Sequence, residues 1–159
     1  MLLYHGSNIE VRSPRIIVST RTLDFGAGFY TTSSKKQALT WASIQTRRRN
    51  QGLATVSVYQ FEETELSTLS ILRFESPSRE WLRFVASNRK GLYKGEKYDL
   101  VIGPVANDNT MPVINDYISG AIDEERALLY LMPQKLVDQY AFLTWKAVSK
   151  LHFIEVMHG

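Results

Sequence analysis

The stretch Asp24-Phe25-Gly26-Ala27-Gly28-Phe29-Tyr30-Thr31-Thr32 constrains this chain most, because it must bend sharply and then run straight. Gly26 and Gly28 remove Cβ atoms where backbone turns tightly or lets another group approach. Phe29-Tyr30-Thr31-Thr32 is β-favouring and carries one aromatic hydroxyl. The whole reads as half of a nucleotide pocket. The dinucleotide fingerprint of doubly wound folds would need a third glycine where Thr31 stands and a strand before the glycines, not after them. A doubly wound parallel sheet is therefore disfavoured.

On either side of this stretch the pattern alternates irregularly between strand and helix. Leu2-Leu3-Tyr4-His5-Gly6-Ser7 is a short apolar strand ending at a turn, with His5 and Ser7 at its exit. Asn8 to Thr22 contains Pro14 and Ile16-Ile17-Val18, which predicts a loop with a short strand or turn. Ser33 or Ser34 caps a helix over Lys35 to Asn50, with Ala38, Trp41, Ala42 and Gln45 on one face and Arg47-Arg48-Arg49 at the negative end of its dipole. Leu53 to Phe61 alternates with strand period, and a strand is expected at Leu69 to Phe74. Ser76-Pro77-Ser78 starts a helix with Trp81, Leu82, Phe84 and Val85 as its apolar face, and Gly91 ends it. Tyr98 to Pro104 is a nearly continuous apolar run, hence a buried central strand stopped by Gly103-Pro104. Asp108 or Asn109 caps a helix at Met111 to Ser119, and Asp123 one at Glu124 to Leu131. Gln139 to Leu143 and Leu151 to Val156 complete the strands, joined by a helical turn around Trp145 to Lys150. About seven strands and four helices in mixed order predict an α+β class with mostly antiparallel strands.

Composition narrows the rest. A chain of 159 residues fits one domain spanning 1–159. The absence of cysteine excludes disulfides, thiolate metal sites and a cysteine nucleophile. No pair of His, Asp or Glu stands at a convincing ligand spacing, so no metal is expected. No run approaches the roughly 18 apolar residues of a membrane span, and Met1 to His5 lacks the features of a signal peptide, which predicts cytoplasmic residence. A net charge of +3 permits an acidic ligand or partner without requiring one.

Tyr4-His5-Gly6-Ser7, the glycine turn ending in Tyr30, and Gln139 together resemble the ADP-ribosyltransferase superfamily, in its diphtheria-toxin and poly(ADP-ribose) polymerase branch, summarised as His-Tyr-Glu. With Trp41-Ala42, Tyr98-Asp99-x-Val101-x-Gly103-Pro104-Val105-Ala106-Asn107-Asp108 and Asp138-Gln139-Tyr140-x-Phe142 added, the chain is similar along nearly its whole length to one bacterial family. That family is catalogued as a domain of unknown function, placed in the superfamily by sequence and often found in toxin–antitoxin gene pairs. The resemblance implies a split β-sandwich flanked by about four helices. It also implies NAD as co-substrate, an antitoxin as partner, and transfer of ADP-ribose to a protein or nucleic-acid acceptor.

By the same resemblance His5, Tyr30 and Gln139 are the catalytic trio. His5 would bond a ribose hydroxyl and Gly6 the nicotinamide amide, Tyr30 would stack on the nicotinamide ring, and Trp41 would form a second wall. Ser7 or Thr32 would add a hydroxyl. The departure is Gln139, where the family's glutamate stands: glutamine can hydrogen-bond a ribose hydroxyl but carries no charge and cannot act as a base. A catalytically weak or inactive NAD-binding or protein-interaction module is therefore the alternative reading. Asp138 is no substitute, since strand neighbours point to opposite faces. Val137 and His5 stand where arginine-modifying relatives carry an acid or amide and an arginine, which disfavours an arginine acceptor.

Each residue also has a plainer reading. His5 and Tyr30 alone would be structural, Gln139 a strand-end polar residue, and Asp108 and Asn109 a helix cap. Arg47-Arg48-Arg49 reads first as a solvated helix end and second as a contact for nucleic acid or an acidic antitoxin.

Overall fold

The computed structural model describes residues 1–16 and 23–159. Beyond Ile16, the short strand or turn expected at Ile16-Ile17-Val18 lies outside the described residues.

Two sheets carry the fold, an α+β arrangement in which all strand pairings but one are antiparallel. In the first, β3 (Thr55–Gln60) lies between β1 (Leu2–Ser7) and β7 (His152–His158). In the second the order is β2 (Phe29–Thr31), β6 (Asp138–Phe142), β5 (Leu100–Pro104) and β4 (Ile71–Arg73), with β4 and β5 parallel. The sheets touch edge to edge at one antiparallel bridge, where the Tyr4 and Thr32 amides each donate to the other's carbonyl. From this seam they diverge and enclose an apolar layer of Leu3, Phe29, Tyr59, Phe61, Leu100, Ile102, Tyr140 and Phe142.

Helices cover the outer faces. Helix α1 (Lys35–Arg49) starts at Ser34, whose hydroxyl accepts from the Gln37 amide, and presses Ala38 and Ala42 onto Val56 and Val58 of β3. Because β3 is the middle strand, covered on one side by α1 and on the other by the inter-sheet layer, residues 55–59 are all buried. The alternation read in Leu53 to Phe61 thus marks two apolar faces instead of one dry and one wet. Helices α2 (Arg79–Arg89), α3 (Met111–Ser119) and α4 (Glu124–Leu131) cover the second sheet through Trp81, Leu82, Val85, Ile114, Ala127, Leu128 and Leu131. Each such side chain fully buried is worth roughly 1.5–3 kcal/mol, and the Trp81 indole donates to the Pro104 carbonyl at 3.0 Å.

One local expectation is corrected and one element is added. The Met111 helix is not capped by Asp108 or Asn109: its N-cap is Thr110, which makes no side-chain cap bond, and the Asn107 side-chain oxygen accepts from the amides of Asn109 and Thr110 in the turn that precedes the helix. The helical turn expected around Trp145 to Lys150 is present as a short α5 (Trp145–Val148), and beyond it there is an unexpected 3-10 segment at Glu63–Thr68. The latter is polar and lacks the apolar periodicity that would have marked it. Among the described residues no helix is long and apolar enough to cross a membrane.

Candidate functional site

The sequence-predicted residues lie around the seam between the sheets but not on one face of it. The glycine turn folds over the helix-covered face of the second sheet because Gly103 on β5 leaves room: a Cβ there would come within 3.1 Å of Phe74 and 3.3 Å of the Phe25 ring. Phe25 fills that space and is 1% exposed. Gly26 takes a φ of +94°, a left-handed conformation that side chains resist. The turn is locked by Tyr30, whose hydroxyl accepts from the Phe25 amide at 2.9 Å and donates to the Gly26 carbonyl at 2.6 Å. Burial raises the Tyr30 pKa, despite the Phe25 amide pulling the other way, so the hydroxyl keeps its proton. Its ring lies nearly parallel to Phe25, with centroids 6.4 Å apart.

Register places Gln139 on the same face. Tyr30 is opposite Ala141, and Gln139, two residues before Ala141, lies opposite Gly103. Gln139 is 3% exposed, and its amide nitrogen Nε2 donates to Oδ2 of Asp24 at 3.5 Å. The other oxygen of Asp24 takes Nε of Arg89, at 2.6 Å, from the end of α2. Asp24 is itself 7% exposed, so this carboxylate is a buried charge with an arginine partner.

His5 approaches from the other side of the seam. Its ring stacks on Phe29 at 4.2 Å, on the inter-sheet face, and its Nδ1 lies 2.6 Å from the Tyr30 carbonyl. A carbonyl only accepts, so the proton sits on Nδ1. Burial lowers the pKa of His5, the Tyr30 carbonyl partly offsets this, and the nearby Arg49 lowers it further. The neutral imidazole therefore presents Nε2 as an acceptor. Ring faces of His5 and Tyr30 are thus not side by side; the pair is joined through the backbone of Tyr30.

The other residues are held by structural partners. Gly6 is a packing glycine: a Cβ there would lie 2.1 Å from the Ala38 carbonyl oxygen and 2.8 Å from the Ala42 nitrogen, so α1 can approach β1 only over glycine. Ser7 donates to the side chain of Asn8, which also takes Nη1 of Arg49 at 2.6 Å. Of the three arginines at the end of α1, Arg49 thus ties the helix to the exit of β1. Thr32 donates to the Asp138 carbonyl at 2.8 Å. Asp138 points away from Gln139 and takes both the amide and the hydroxyl of Ser33, as strand alternation requires. Trp41 is half-buried on α1 beside the buried Ala42. Among the described residues no group of three or more His, Asp or Glu could hold a metal.

Sequence reasoning missed Asp24 and Arg89 as site residues. Asp24 opens the turn that organised the reading, but its partners are 65 and 115 residues away and no spacing announces them.

No curated protein and no solved structure matches the chain. A family model described as "Protein of unknown function (DUF3990)" matches residues 1–153, nearly the whole length, and the chain belongs to that family.

Proposed function

We propose that this protein is an NAD-dependent mono-ADP-ribosyltransferase. The observation that carries the reading is the placement of Tyr30 on β2 and Gln139 on β6 on one face of the second sheet, with His5 on β1 tied to them from the inter-sheet face through the Tyr30 carbonyl; these are the three positions that the resemblance marks. They are linked through the Tyr30 carbonyl and the glycine turn. The Tyr30 ring and the Gln139 amide, on one face, suit a ribosyl group next to an aromatic ring, and His5 at the sheet edge offers an imidazole acceptor beside them.

Bound NAD would supply an ADP-ribosyl group whose bond to nicotinamide breaks, nicotinamide leaving with the electron pair while an acceptor oxygen or nitrogen bonds the anomeric carbon and loses its proton. The chain's own residues would then have three tasks. Nε2 of His5 would accept from a ribose hydroxyl. Tyr30, its hydroxyl fixed to Gly26, would offer its ring as a wall for the leaving group. Gln139 would accept from a second ribose hydroxyl and orient the sugar, which lowers the barrier chiefly by positioning. With no charge on Gln139, stabilisation of the developing cation would fall to neighbouring dipoles, and turnover would be slow.

The resemblance also supports a role as the toxin of a bacterial pair, with an antitoxin as partner; Arg47 and Arg48, at the end of α1, offer it a cationic face.

One observation favours a second reading. Gln139 is uncharged and 3% exposed, which suits a module that binds NAD or a protein partner without breaking the glycosidic bond.

Incubation with labelled NAD and cell lysate tests both, following nicotinamide release and label transfer, with Tyr30→Ala and Gln139→Ala alongside. Transfer lost in both variants supports the transferase. Binding of NAD without release supports the module, and neither binding nor release overturns both NAD readings.

A further inference from the structure

A glutamine in place of an acid reads as a loss of function until its neighbour is considered. Gln139 is buried, and one edge of its amide faces the carboxylate of Asp24. An amide oxygen there would set two acceptors against each other, so the edge facing Asp24 is the NH2 edge, and the carbonyl oxygen Oε1 is on the opposite edge. Free glutamine has no such preference and would present donor and acceptor equally. Asp24 is in turn fixed from behind by Arg89, which takes its other oxygen at 2.6 Å, and from the side by the glycine turn, which Phe25 seats over Gly103.

We infer that Asp24 is a positioning residue that holds the Gln139 amide with Oε1 as a committed acceptor, so that Asp24, Arg89 and Gln139 work as one unit. This rests on the proposed transferase reading for what Oε1 accepts, a ribose hydroxyl. It also explains why glutamine stands here. A glutamate at 139 would bring a second carboxylate to the 3.5 Å contact that the Gln139 amide makes with Asp24. Two carboxylates that close, with one guanidinium to share, repel each other, which pushes the ionisation of the added acid upward. The pair Asp24 and Gln139 is a division of labour, the charge on one side chain and the acceptor on the other.

The consequence runs against the family likeness. Restoring the missing acid by Gln139→Glu lowers nicotinamide release instead of raising it. Asp24→Asn combined with Gln139→Glu recovers it, since the amide that replaces the Asp24 carboxylate then donates to the new acid and Arg89 keeps an anion beside it.

The test is a double-mutant cycle with Asp24→Asn, Gln139→Glu and the pair, read by nicotinamide release from NAD and by Tm with and without NAD. Asp24→Asn is expected to lower kcat about 10- to 100-fold, the cost of a misplaced group, with KM for NAD little changed. Gln139→Glu is expected to lose release and stability at pH 8 and to regain both as pH falls and the carboxylate pair takes up one proton, a profile the wild type lacks. The double variant is expected to exceed Gln139→Glu in both readouts. A Gln139→Glu enzyme as active as the wild type, or a double variant no better than Gln139→Glu, overturns the inference. Should Asp24→Asn fail to fold because Arg89 loses its partner, the pH profile of Gln139→Glu decides alone. If the wild type neither releases nicotinamide nor gains Tm with NAD, the transferase reading falls. The Tm cycle still judges the pair: coupling supports the held amide, and additivity overturns it.

Discussion

The imidazole of His5 donates from Nδ1 to the carbonyl of Tyr30 across 2.6 Å, at the seam where the two sheets part. Just beyond the Tyr4 and Thr32 bridge, a side chain from β1 thus takes up a backbone acceptor of β2. The resemblance assigns this histidine to a ligand; the geometry gives it a structural bond through one nitrogen and leaves the other nitrogen for a ligand.

The burial of this imidazole makes the fold sensitive to pH, and the bond to Tyr30 only partly offsets it. Burial lowers the pKa of His5 below its ordinary value of about 6.5. Between the folded and unfolded values the unfolded chain binds more protons, so stability is full above about pH 6.5 and is lost as pH falls toward the folded value. His5→Asn, which keeps a donor for the Tyr30 carbonyl but does not titrate, is expected to flatten the Tm profile between about pH 7 and 5. Parallel profiles for variant and wild type would refute this. At pH 8 the variant is expected to lose about 1–2 kcal/mol through the thinner packing on Phe29.

Gly6 sets how closely α1 lies on β1. A Cβ would stand 2.1 Å from the Ala38 carbonyl oxygen, which is helix backbone and cannot rotate away. Gly6→Ala is expected to cost about 3 kcal/mol or more, at or beyond the top of the usual overpacking range, because a whole helix must shift. At Gly26 the added Cβ would meet only the Asn88 side-chain oxygen, at 3.2 Å, and the cost is mainly the positive φ. Gly26→Ala is expected to cost about 1–2 kcal/mol. Urea unfolding of both variants checks the order, and equal losses would show that α1 can move.

These positions show what the sequence could reveal. The strand at Leu100–Pro104 was legible because burial on both faces leaves a continuous apolar run; the caps were legible as Ser33 or Ser34, as a start at Ser76-Pro77-Ser78 and as Asp123, because an N-cap oxygen serves an amide three residues ahead, and the structure uses Ser34, Ser78 and Asp123. His5, Tyr30 and Gln139 were singled out by resemblance, but their mutual arrangement was not readable. It depends on β2 pairing with β6 more than a hundred residues away, as in the Thr31 hydroxyl bonded to the Tyr140 carbonyl. Pairing of distant strands leaves no local signal. The packing role of Gly6 was hidden for the same reason, since nothing in its tripeptide says that a helix crosses over it.

Asp99 joins three elements at the far end of the second sheet. Its carboxylate takes the Thr144 hydroxyl at 2.6 Å and the Ser70 amide at 2.9 Å, while Thr144 caps α5 by accepting from the Ala147 amide. Burial alone would raise its pKa, but the hydrogen bonds from Thr144 and Ser70 overcome that and hold it below the ordinary carboxylate value. The stability it confers is therefore present above about pH 4 and lost as pH falls through the folded value. Asp99→Asn cannot accept from both partners without turning an NH2 toward one of them. It is expected to cost about 1–2 kcal/mol at pH 7 and less at pH 3, as chemical denaturation at the two pH values would show. A loss independent of pH would assign the effect to packing.

Tyr30 combines a fixed hydroxyl with a ring, and two substitutions separate them. Tyr30→Phe keeps the ring but removes the group that serves the Phe25 amide and the Gly26 carbonyl. Two turn groups then lose their partner, and the expected cost is about 1–3 kcal/mol, or a fall in Tm of roughly 2–12 °C for a chain of this size. If the ring is the wall for nicotinamide, Tyr30→Phe still gains Tm when NAD is added, because a ligand that binds only the folded state stabilises it by mass action. Tyr30→Ala removes both functions and is expected to lose that gain. Thermal melts of the three proteins with and without NAD separate the roles. A gain in Tm that survives in Tyr30→Ala would mean that the phenol only closes the glycine turn, and the wall for the leaving group would have to be sought on another element of the seam.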